Sequence, residues 1–327
     1  MAKVAVVILN YNGVQYLEKF LPMVIEKSQN ATIVVSDNKS TDNSVELLKE
    51  KFPSIKLIEL DKNYGFAGGY NKSLRQVDSD YYVLLNSDVE VTDNWLERLS
   101  VFLETHPEYA SCQPKIKNYN DREKFEYAGA CGGFIDSMGY PYCRGRVFDF
   151  TETDTGQYDD PVDIFWSSGA CMMIRAEDFH QINGFDESFF AHMEEIDLCW
   201  RLQSLGRKIS VVPASVVFHV GGGTLSYQSP FKTYLNFRNG LRLLIRNLPV
   251  RQLFIKIPTR FFLDWTAMVV FLLRGNGKYA ISVLKAHISV VGKLVEILKS
   301  RTYTSELSNK KLIVWNYYVL KKRKYSD

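Results

Sequence analysis

Two residues with metal-binding side chains come directly after short apolar runs of this sequence. Asp88 closes the segment Asn86-Ser87-Asp88 after one run, and His219 follows another. A carboxylate at the end of an apolar strand can bind Mg²⁺ or Mn²⁺, which need only one or two protein carboxylates when phosphates and water complete the coordination. A neutral imidazole can join such a site. These residues predict a divalent metal site that serves a diphosphate, although each alone is also compatible with an ordinary turn.

Three further polar segments follow apolar runs in the first 75 residues. Asn10 and Tyr11 end the first run, and Asp37 after the second is placed to accept the imide N–H of a uracil or thymine ring. The alternative is that Asp37 is a turn residue. In the segment 63–71, glycines open a helix, where backbone N–H groups can approach a diphosphate. The segment is neither GxGxxG nor a Walker motif, so neither a dinucleotide fold nor a P-loop is supported.

Strand and helix patterns alternate over the first 118 residues and predict the elements that carry these segments. The strands are expected at Val4–Leu9, Thr32–Ser36, Ile55–Glu59, Tyr81–Leu85 and Ser111–Lys117. The helices are expected at Val14–Glu26, Asp42–Lys51 (with Asp42 or Ser40 as N-cap), Phe66–Val77 and Asp93–Glu104. This alternation predicts a parallel sheet covered on both faces, with ligands beyond the carboxyl ends of its strands.

The next hundred residues are less regular. Residues 120–165 are rich in Gly, Tyr and Asp and predict hairpins and loops. A strand is expected at Ser168–Ile174, a helix at Met193–Leu205, and two strands near Ile209–Val212 and Val216–Phe218.

The C-terminal part differs from the body in charge. Residues 231–327 hold 19 Lys and Arg against 4 Asp and Glu, a net charge of +15, whereas residues 1–230 carry −12. Helical patterns at Phe231–Asn247, Leu253–Leu273 and Ile281–Leu298 predict a basic amphipathic extension that touches an anionic membrane surface. Packing on the body is the alternative. The longest apolar stretch, Trp265–Leu273, is too short to span a membrane, and no nucleic-acid motif accompanies the charge.

Composition sets the broad class. The 327 residues are 46% hydrophobic and 24% charged, which suits roughly two globular domains. Five cysteines without a CxxC pair argue against a disulfide scaffold and for a reducing compartment. The apolar run at Val4–Leu9 is too short for a signal peptide.

The N-terminal segments, in this order and spacing, resemble those of the inverting family 2 glycosyltransferases, and most closely the rhamnosyltransferase-like members. The resemblance lies in the Asn10-Tyr11 pair, in D-N-x-S-x-D-x-S at Asp37–Ser44, in N-x-G-F-x-x-x-x-N at Asn63–Asn71, and in a DxD-like segment that ends at Asp88. It covers about residues 3–245.

Later segments extend the resemblance. Trp166 and Gly169 are similar to the start of the family's acceptor-side strand, and Gly184–Glu187 matches its G-F-D-E. The segment Glu194–Arg201 resembles its E-D-x-D-L-x-x-R signature, with Glu195 in place of the usual Asp. In that signature the second acid is the general base, which implies Glu195, with Glu194 as the fallback and Asp197 in an orienting role on the acceptor side. The segment 219–224 resembles H-x-x-G-x-S/T.

The resemblance implies an α/β fold of the A-type (GT-A) nucleotide-sugar-binding class, with a mixed, mostly parallel sheet and a C-terminal helical extension. It implies a catalytic domain at 1–230, with a nucleotide-binding half at about 1–118 and an acceptor half at about 119–230, followed by the extension 231–327. The implied nucleotide-sugar contacts are Asn10, Tyr11, Asp37, Asn63, Gly65, Asn71, Asn86 and Ser87. Asp88 and His219 would hold Mg²⁺ or Mn²⁺, and Trp166, Gly169 and Asp197 would serve the acceptor.

The implied activity is inverting transfer of a sugar from a nucleoside diphosphate sugar to a hydroxyl of a glycan or lipid-linked glycan in cell-surface polysaccharide synthesis. dTDP-rhamnose is favoured as donor, and UDP- and GDP-sugars stay open. The enzyme would be cytoplasmic and peripheral at the inner membrane face. The alternative is a non-catalytic, membrane-associated nucleotide-sugar-binding protein, because Asn86 and Glu195 both depart from the family's usual Asp. Sugar nucleotidyltransferases and NAD-dependent oxidoreductases are disfavoured, since their glycine-rich loops are absent after the first strand.

Overall fold

The computed structural model describes residues 2–221 and 229–327. The strands are β1 (Val4–Asn10), β2 (Ala31–Asp37), β3 (Lys56–Glu59), β4 (Tyr81–Asn86), β5 (Val89–Val91), β6 (Tyr109–Asn118), β7 (Gly133–Ile135), β8 (Pro141–Cys143), β9 (Arg146–Val147), β10 (Phe150–Thr151), β11 (Val162–Asp163), β12 (Cys171–Arg175) and β13 (Lys208–His219). The helices are α1 (Val14–Lys27), α2 (Ser44–Lys51), α3 (Gly65–Leu74), α4 (Trp95–Thr105), α5 (Ala176–Gln181), α6 (Glu194–Ser204), α7 (Pro230–Asn247), α8 (Val250–Leu273), α9 (Gly277–Gly292), α10 (Leu294–Lys299) and α11 (Ile313–Tyr318), with a 3₁₀ turn at Glu187–Phe189.

The central sheet is mixed. Its strand order is β11-β13-β6-β12-β4-β1-β2-β3, and β5 pairs with β13. The pairs β4–β1, β1–β2, β2–β3 and β6–β13 are parallel, whereas β12 runs antiparallel between β4 and β6. The expected mixed, mostly parallel sheet is confirmed. The carboxyl ends of β1, β2 and β4 lie in register at one edge, where Leu9 faces Ser36 on one side and Asn86 on the other.

Alternation along the strands explains the two cores. In β4, Tyr82 and Leu84 enter the apolar cluster under α3 and α6, whereas Val83 and Leu85 enter the cluster under α1 and α4. Successive side chains of a strand point to opposite faces, so a strand buried on both faces is apolar throughout. Helices therefore cover both faces of the sheet, as the alternation of elements predicted.

Several expected boundaries were wrong. Helix α2 begins at Ser44, with Asn43 as the preceding residue, because Asp42 instead bonds the backbone N–H groups of Ser44 and Val14. The two strands expected near 209 and 216 form the single strand β13, whose register with β6 shifts between Val212 and Val216. The helix expected at Ile281–Leu298 is divided into α9 and α10.

The irregular region forms a second, antiparallel sheet of β7 to β10, which fits the expected hairpins. The C-terminal segment returns to this sheet: the Tyr325 ring lies 5.1 Å from Phe134 and 6.0 Å from Tyr142. None of the described helices is long and apolar enough to cross a membrane.

The arginines of α7 do not face a membrane, contrary to the basic-extension prediction for this helix. Arg242 and Arg246 are buried and lie 3.8 and 3.0 Å from Asp186. Buried charges of this kind need partners, which these two find in the acceptor half. Helix α7 is therefore packed into the body across the expected domain boundary at residue 230.

Candidate active site

The turn between β4 and β5 carries Asp88 against the end of β13. The carboxylate oxygen Oδ1 of Asp88 lies 3.2 Å from His219 Nε2, and Oδ2 accepts a hydrogen bond from the Gly221 backbone N–H at 3.2 Å. Asn86 Nδ2 lies 3.4 Å from the same imidazole nitrogen. The structure thus brings together three residues that are separated by up to 133 positions in the chain. Gly222 to Thr224, the remainder of the segment singled out after His219, lie outside the described residues.

Glu126 is a member of this cluster that sequence reasoning missed. It is buried, and its Oε2 lies 3.3 Å from His219 Nδ1, within ion-pair distance although not aligned for a hydrogen bond. With Glu126 on one side and Asp88 on the other, the pKa of His219 is raised to about 10, against the opposing effect of burial. Glu126 stands in the irregular region, where no periodicity marks it, and only the fold brings it to His219.

The acids Glu194 and Glu195 begin helix α6. Glu194 is buried and Glu195 is half-buried, and the Oε2 atom of each is buried without a hydrogen-bond partner among the described residues. Burial raises the pKa of both carboxyls; Glu194 is raised further by its neighbour, and Glu195 rises to about 7. Leaving a buried polar atom without a hydrogen bond costs free energy of folding. A bound ligand that donates a hydrogen bond to these oxygens would remove that cost.

A buried amide holds the loop that leads into α6. Asn239 of α7 donates from Nδ2 to the carbonyl oxygens of Phe189, Ala191 and His192 at 2.8–3.1 Å. His192 and Met193 both have positive φ, 67° and 70°, a strained conformation for residues with side chains. The amide of Asn239 therefore stabilises the unusual backbone that places the two glutamates at the start of the helix.

The expected acceptor-side role of Asp197 is corrected by the structure. Its carboxylate is fully buried and accepts hydrogen bonds from Arg201 Nε at 2.7 Å and Asn247 Nδ2 at 2.8 Å, and it lies 3.1 Å from Arg246 Nε in an ion pair. Each oxygen is engaged by a cation or an amide, so it anchors α6 to α7 and has no contact to offer a substrate.

Arg146 and Cys143 connect the two acidic groups. Arg146 Nη2 donates to Cys143 Sγ at 3.2 Å, and the buried Arg146 Nε has no partner among the described residues. Burial raises the pKa of the Cys143 thiol, and Glu126 and Glu195 raise it further, whereas Arg146 lowers it. Both carboxylates therefore act on the same buried thiol.

On the opposite side of the sheet edge, Asp37, Ser40 and Asn10 bond one another, and Asn10 Oδ1 alone of their buried oxygens has no partner among the described residues. Asp37 Oδ2 accepts from the Ser40 backbone N–H at 2.8 Å, and Oδ1 accepts from Ser40 Oγ at 2.5 Å and Asn10 Nδ2 at 3.1 Å. Asn10 and Asp37 are almost completely buried, whereas Tyr11 is 42% exposed and Ser87 is half-buried. A carboxylate offers about four acceptor sites, so Asp37 retains capacity for one more donor.

The start of α3 is built on amide bonds. Asn38 accepts from the Tyr64 backbone N–H at 2.9 Å and donates to Asn63 Oδ1 at 3.1 Å, which also accepts from the Gly65 N–H at 2.8 Å. Gly65 has φ +69°, and a Cβ there would lie 2.9 Å from the Phe190 carbonyl oxygen. This glycine is therefore required for the close approach of α3 to the loop before α6.

Two further expected contacts are corrected. Asn71 is buried and bonds both the Phe185 carbonyl and its N–H at 2.9 Å, so it ties α3 to the segment 184–187 and does not face a ligand. Trp166 is buried, and its Nε1 donates to the Phe134 carbonyl at 2.9 Å, so it is a packing residue. Gly169 makes room for Phe66, whose ring would lie 2.9 Å from a Cβ there.

The donor set of the Asp88 cluster fits a divalent cation. No group of three or more His, Cys, Asp and Glu able to hold a metal is found over residues 2–221 and 229–327. One carboxylate and one imidazole, with the amide of Asn86 beside them, match a cation that completes its coordination with phosphate and water. An imidazole must lose its proton to bind a metal, so binding would release the proton held between Glu126 and Asp88.

Comparison with known proteins agrees with this arrangement. The family described as Glycosyl transferase family 2 matches residues 5–182, more than half of the chain. A relative in Mycobacterium tuberculosis, N-acetylglucosaminyl-diphospho-decaprenol L-rhamnosyltransferase, is 25% identical over 65% of this chain and 75% of its own. The rhamnosyltransferase WbbL of Escherichia coli is 24% identical over 66% and 83%.

Solved structures with similar folds bind nucleotide sugars. GalNAc-T7, solved with UDP, GalNAc and Mn²⁺, aligns with a TM-score of 0.60 and 19% identity over 76% of this chain and 49% of its own. The Pyrobaculum calidifontis mannosyltransferase PcManGT, in complex with GDP-Man and Mn²⁺, aligns with a TM-score of 0.54 and 14% identity over 89% and 75%. These likenesses confirm the GT-A fold. The sequence match and the fold together establish that this chain belongs to glycosyl transferase family 2 and is a glycosyltransferase whose curated relatives include rhamnosyltransferases.

Proposed function

We propose that this protein is an inverting rhamnosyltransferase that transfers rhamnose from dTDP-rhamnose to a hydroxyl of a lipid-linked glycan. The observation that carries the proposal is the half-buried Glu195 carboxyl at the start of α6, with a raised pKa and a buried, unpartnered Oε2 atom. A general base works best when its pKa lies near the ambient pH. The raised pKa gives Glu195 this property, whereas its neighbour Glu194 binds its proton more tightly.

The bond changes follow from this assignment. Glu195 accepts the proton of the acceptor hydroxyl as the oxygen attacks the anomeric carbon. The bond from that carbon to the donor diphosphate breaks on the opposite face, and the electron pair leaves with the diphosphate. Configuration at the anomeric carbon therefore inverts, and no covalent enzyme intermediate forms.

The leaving-group side is assigned to the Asp88 cluster. Asp88 and His219 would hold Mg²⁺ or Mn²⁺, with Asn86 alongside, and the bound cation would offset charge on the departing diphosphate. Glu126 keeps His219 in place from the second ring nitrogen.

The donor nucleotide is assigned to the edge formed by β1, β2 and the start of α3. Asp37 has acceptor capacity for a base imide, Tyr11 is exposed beside it, and Asn63 and Gly65 shape the backbone at the start of α3. Ser87 precedes the metal-binding aspartate. Gly169 bounds the acceptor side through Phe66.

The choice of donor and acceptor rests on the relatives. Two of them are named rhamnosyltransferases, and one name specifies an N-acetylglucosaminyl-diphospho-decaprenol acceptor. A lipid-linked acceptor of cell-surface polysaccharide synthesis would place this chain at the inner face of the cytoplasmic membrane. Family membership and the two relatives named rhamnosyltransferases favour this activity over the non-catalytic alternative.

A donor screen tests the proposal. Purified protein with Mn²⁺ or Mg²⁺ is offered dTDP-rhamnose, UDP-glucose, UDP-N-acetylglucosamine and GDP-mannose, together with a synthetic polyprenyl-diphospho-N-acetylglucosamine, and the glycolipid product is followed by mass spectrometry. We expect metal-dependent product from dTDP-rhamnose that is lost in Asp88→Ala. Binding of the bare nucleoside diphosphates, without product from any donor, would support the non-catalytic alternative.

A further inference from the structure

Helix α8 buries charged residues and exposes apolar ones, which is the reverse of the arrangement in a helix packed on a protein core. Its buried residues are the charged pair Arg260 and Asp264, whereas Phe254, Phe262 and Leu273 are 78%, 67% and 83% exposed. In a surface helix surrounded by water, the apolar residues face the protein and the charged residues face solvent. The face that α8 turns away from the protein is thus suited to an apolar environment.

A buried polar network fixes this orientation. Asp264 Oδ1 accepts from Arg260 Nε at 3.0 Å and from the Tyr140 hydroxyl at 3.3 Å, and Oδ2 lies 3.2 Å from His287 Nε2 of α9. Arg260 Nη1 also donates to the Met138 carbonyl at 3.0 Å. Rotation of α8 about its axis would leave these buried charges without partners, which is strongly unfavourable. The network therefore holds the apolar side outward.

The apolar surface continues over the next two helices. We define the outer apolar face as the exposed apolar side chains of α8, α9 and α10. In α8 its members include Phe262, Trp265 and Val269, spaced three and four residues apart on one side of the helix. Ile288 of α9 and Val295 of α10 are 63% and 65% exposed. A contiguous exposed apolar surface of this kind marks an interaction site and is rare on a protein that stays in water.

The excess of basic residues around the outer apolar face indicates that its partner is anionic. Residues 250–300 carry eight Lys and Arg and two Asp and Glu. Of the two acids, Asp264 is buried in its network and Glu296 lies 3.6 Å from Arg242. Lys278 and Lys285 of α9, and Lys293 between α9 and α10, are exposed. Lysines beside apolar and Trp side chains match the headgroup region of an anionic lipid layer.

We propose that the outer apolar face inserts into one leaflet of an anionic phospholipid bilayer, with its apolar side chains below the headgroups and its lysines among them. Insertion of this type reaches about 5–10 Å into the interface. This proposal names the surface that makes the membrane contact, and it rests on the proposed function, in which the acceptor is lipid-linked. Its test needs neither donor nor acceptor, so its failure would leave sugar transfer untouched.

Flotation with vesicles tests the proposal on the full chain. Protein is mixed with vesicles of phosphatidylcholine and 30% phosphatidylglycerol in 0.1 M and 1 M NaCl. We expect most of the protein to float in both salts, because burial of apolar side chains is not screened by ions. Phe254→Glu/Leu273→Glu should reduce the floating fraction at least tenfold. Val101→Glu/Leu205→Glu, which adds two carboxylates at exposed apolar positions of the body, is the matched control and should float like the parent.

Fluorescence measures the depth of insertion. In a Trp315→Phe background, Trp265 is the exposed tryptophan, since Trp95, Trp166 and Trp200 are buried. We expect its emission to shift to shorter wavelength and to be quenched by acyl-chain-brominated lipid.

Three results would overturn the proposal. Flotation that disappears in 1 M NaCl would indicate electrostatic adhesion alone. Equal flotation of the Phe254→Glu/Leu273→Glu variant would assign the contact to another surface. A stable dimer in light scattering that this variant converts to a monomer would assign the face to a second copy of the chain.

Discussion

Two polar regions border the carboxyl edge of the sheet, and they differ in how completely their side chains are bonded. Around Asp37, the carboxylate, Ser40 and the Asn10 amide nitrogen bond one another, although Asn10 Oδ1 has no partner among the described residues. Around the start of α6, Glu194 and Glu195 each keep a buried oxygen without a partner. In the first region the polar groups stabilise the fold by bonding one another. In the second, unpartnered buried oxygens lower the stability of the free protein, and a bound substrate would supply their missing hydrogen bonds. Variants in the first should lower stability, and variants in the second should lower activity.

The anchor of α6 should show the largest effect on stability. Arg246→Met removes the cation that lies 3.0 Å from Asp186 and 3.1 Å from Asp197, and so leaves buried carboxylates with fewer partners. We expect the free energy of unfolding to fall by about 3–5 kcal/mol, measured by urea denaturation. Arg251→Met is the control, because its ion pair with Glu306 is exposed and should contribute less than about 1 kcal/mol. Equal losses in both variants would contradict the anchoring role.

Glu195→Gln should raise stability above neutral pH and leave it unchanged at low pH. The folded-state pKa of Glu195 is raised above 4.5 to about 7, so folding favours the protonated form. The stability of the parent protein should therefore fall as the pH rises from about 4.5 through 7, and the variant should escape this loss. At pH 8 we expect the variant to be more stable by about 1–3 kcal/mol, and at pH 4 we expect little difference. Thermal unfolding at both pH values measures this, and a variant less stable at pH 8 would contradict it.

Glu126→Gln should act on the metal site through His219. Loss of the carboxylate beside His219 Nδ1 frees the imidazole to turn, and partners of metal ligands are typically worth 10–100-fold in metal affinity or activity. We expect the Mn²⁺ concentration for half-maximal transfer to rise by about tenfold, measured well below the unfolding midpoint of the variant, because loss of a buried ion-pair partner also lowers stability. The control is Glu18→Gln, whose exposed ion pair with Lys51 joins α1 to α2.

Ser40→Ala should give the smallest effect and probes the bonded region. The Ser40 hydroxyl donates to Asp37 and accepts from Asn10 and from the Asn12 backbone N–H. Its removal should cost about 1 kcal/mol of unfolding free energy. A stability equal to that of the parent protein would mean that the region is less preorganised than its bonds indicate.

Much of the donor half follows from the sequence, because strand and helix periods repeat there and each polar segment ends a strand. Asp88 and His219 could be named for the same reason. Glu126 could not, since it stands in an irregular segment and meets His219 only after the sheet forms. Asp197 and the α7 arginines were misassigned, because a charged residue on an amphipathic pattern gives no sign of whether it faces solvent or a buried partner. The sequence predicted two strands where β13 is continuous, because Pro213 interrupts the apolar pattern of that segment.

The central claim is that Glu195 removes the acceptor proton. The most direct test is the pH dependence of kcat/KM for rhamnosyl transfer by the parent protein, Glu195→Gln and Glu194→Gln. We predict that the parent activity rises with pH through about 7, that Glu195→Gln loses about 10²–10⁴-fold at pH 8 and loses this rise, and that Glu194→Gln retains it. Full transfer by folded Glu195→Gln, with the same pH profile as the parent, would contradict the account.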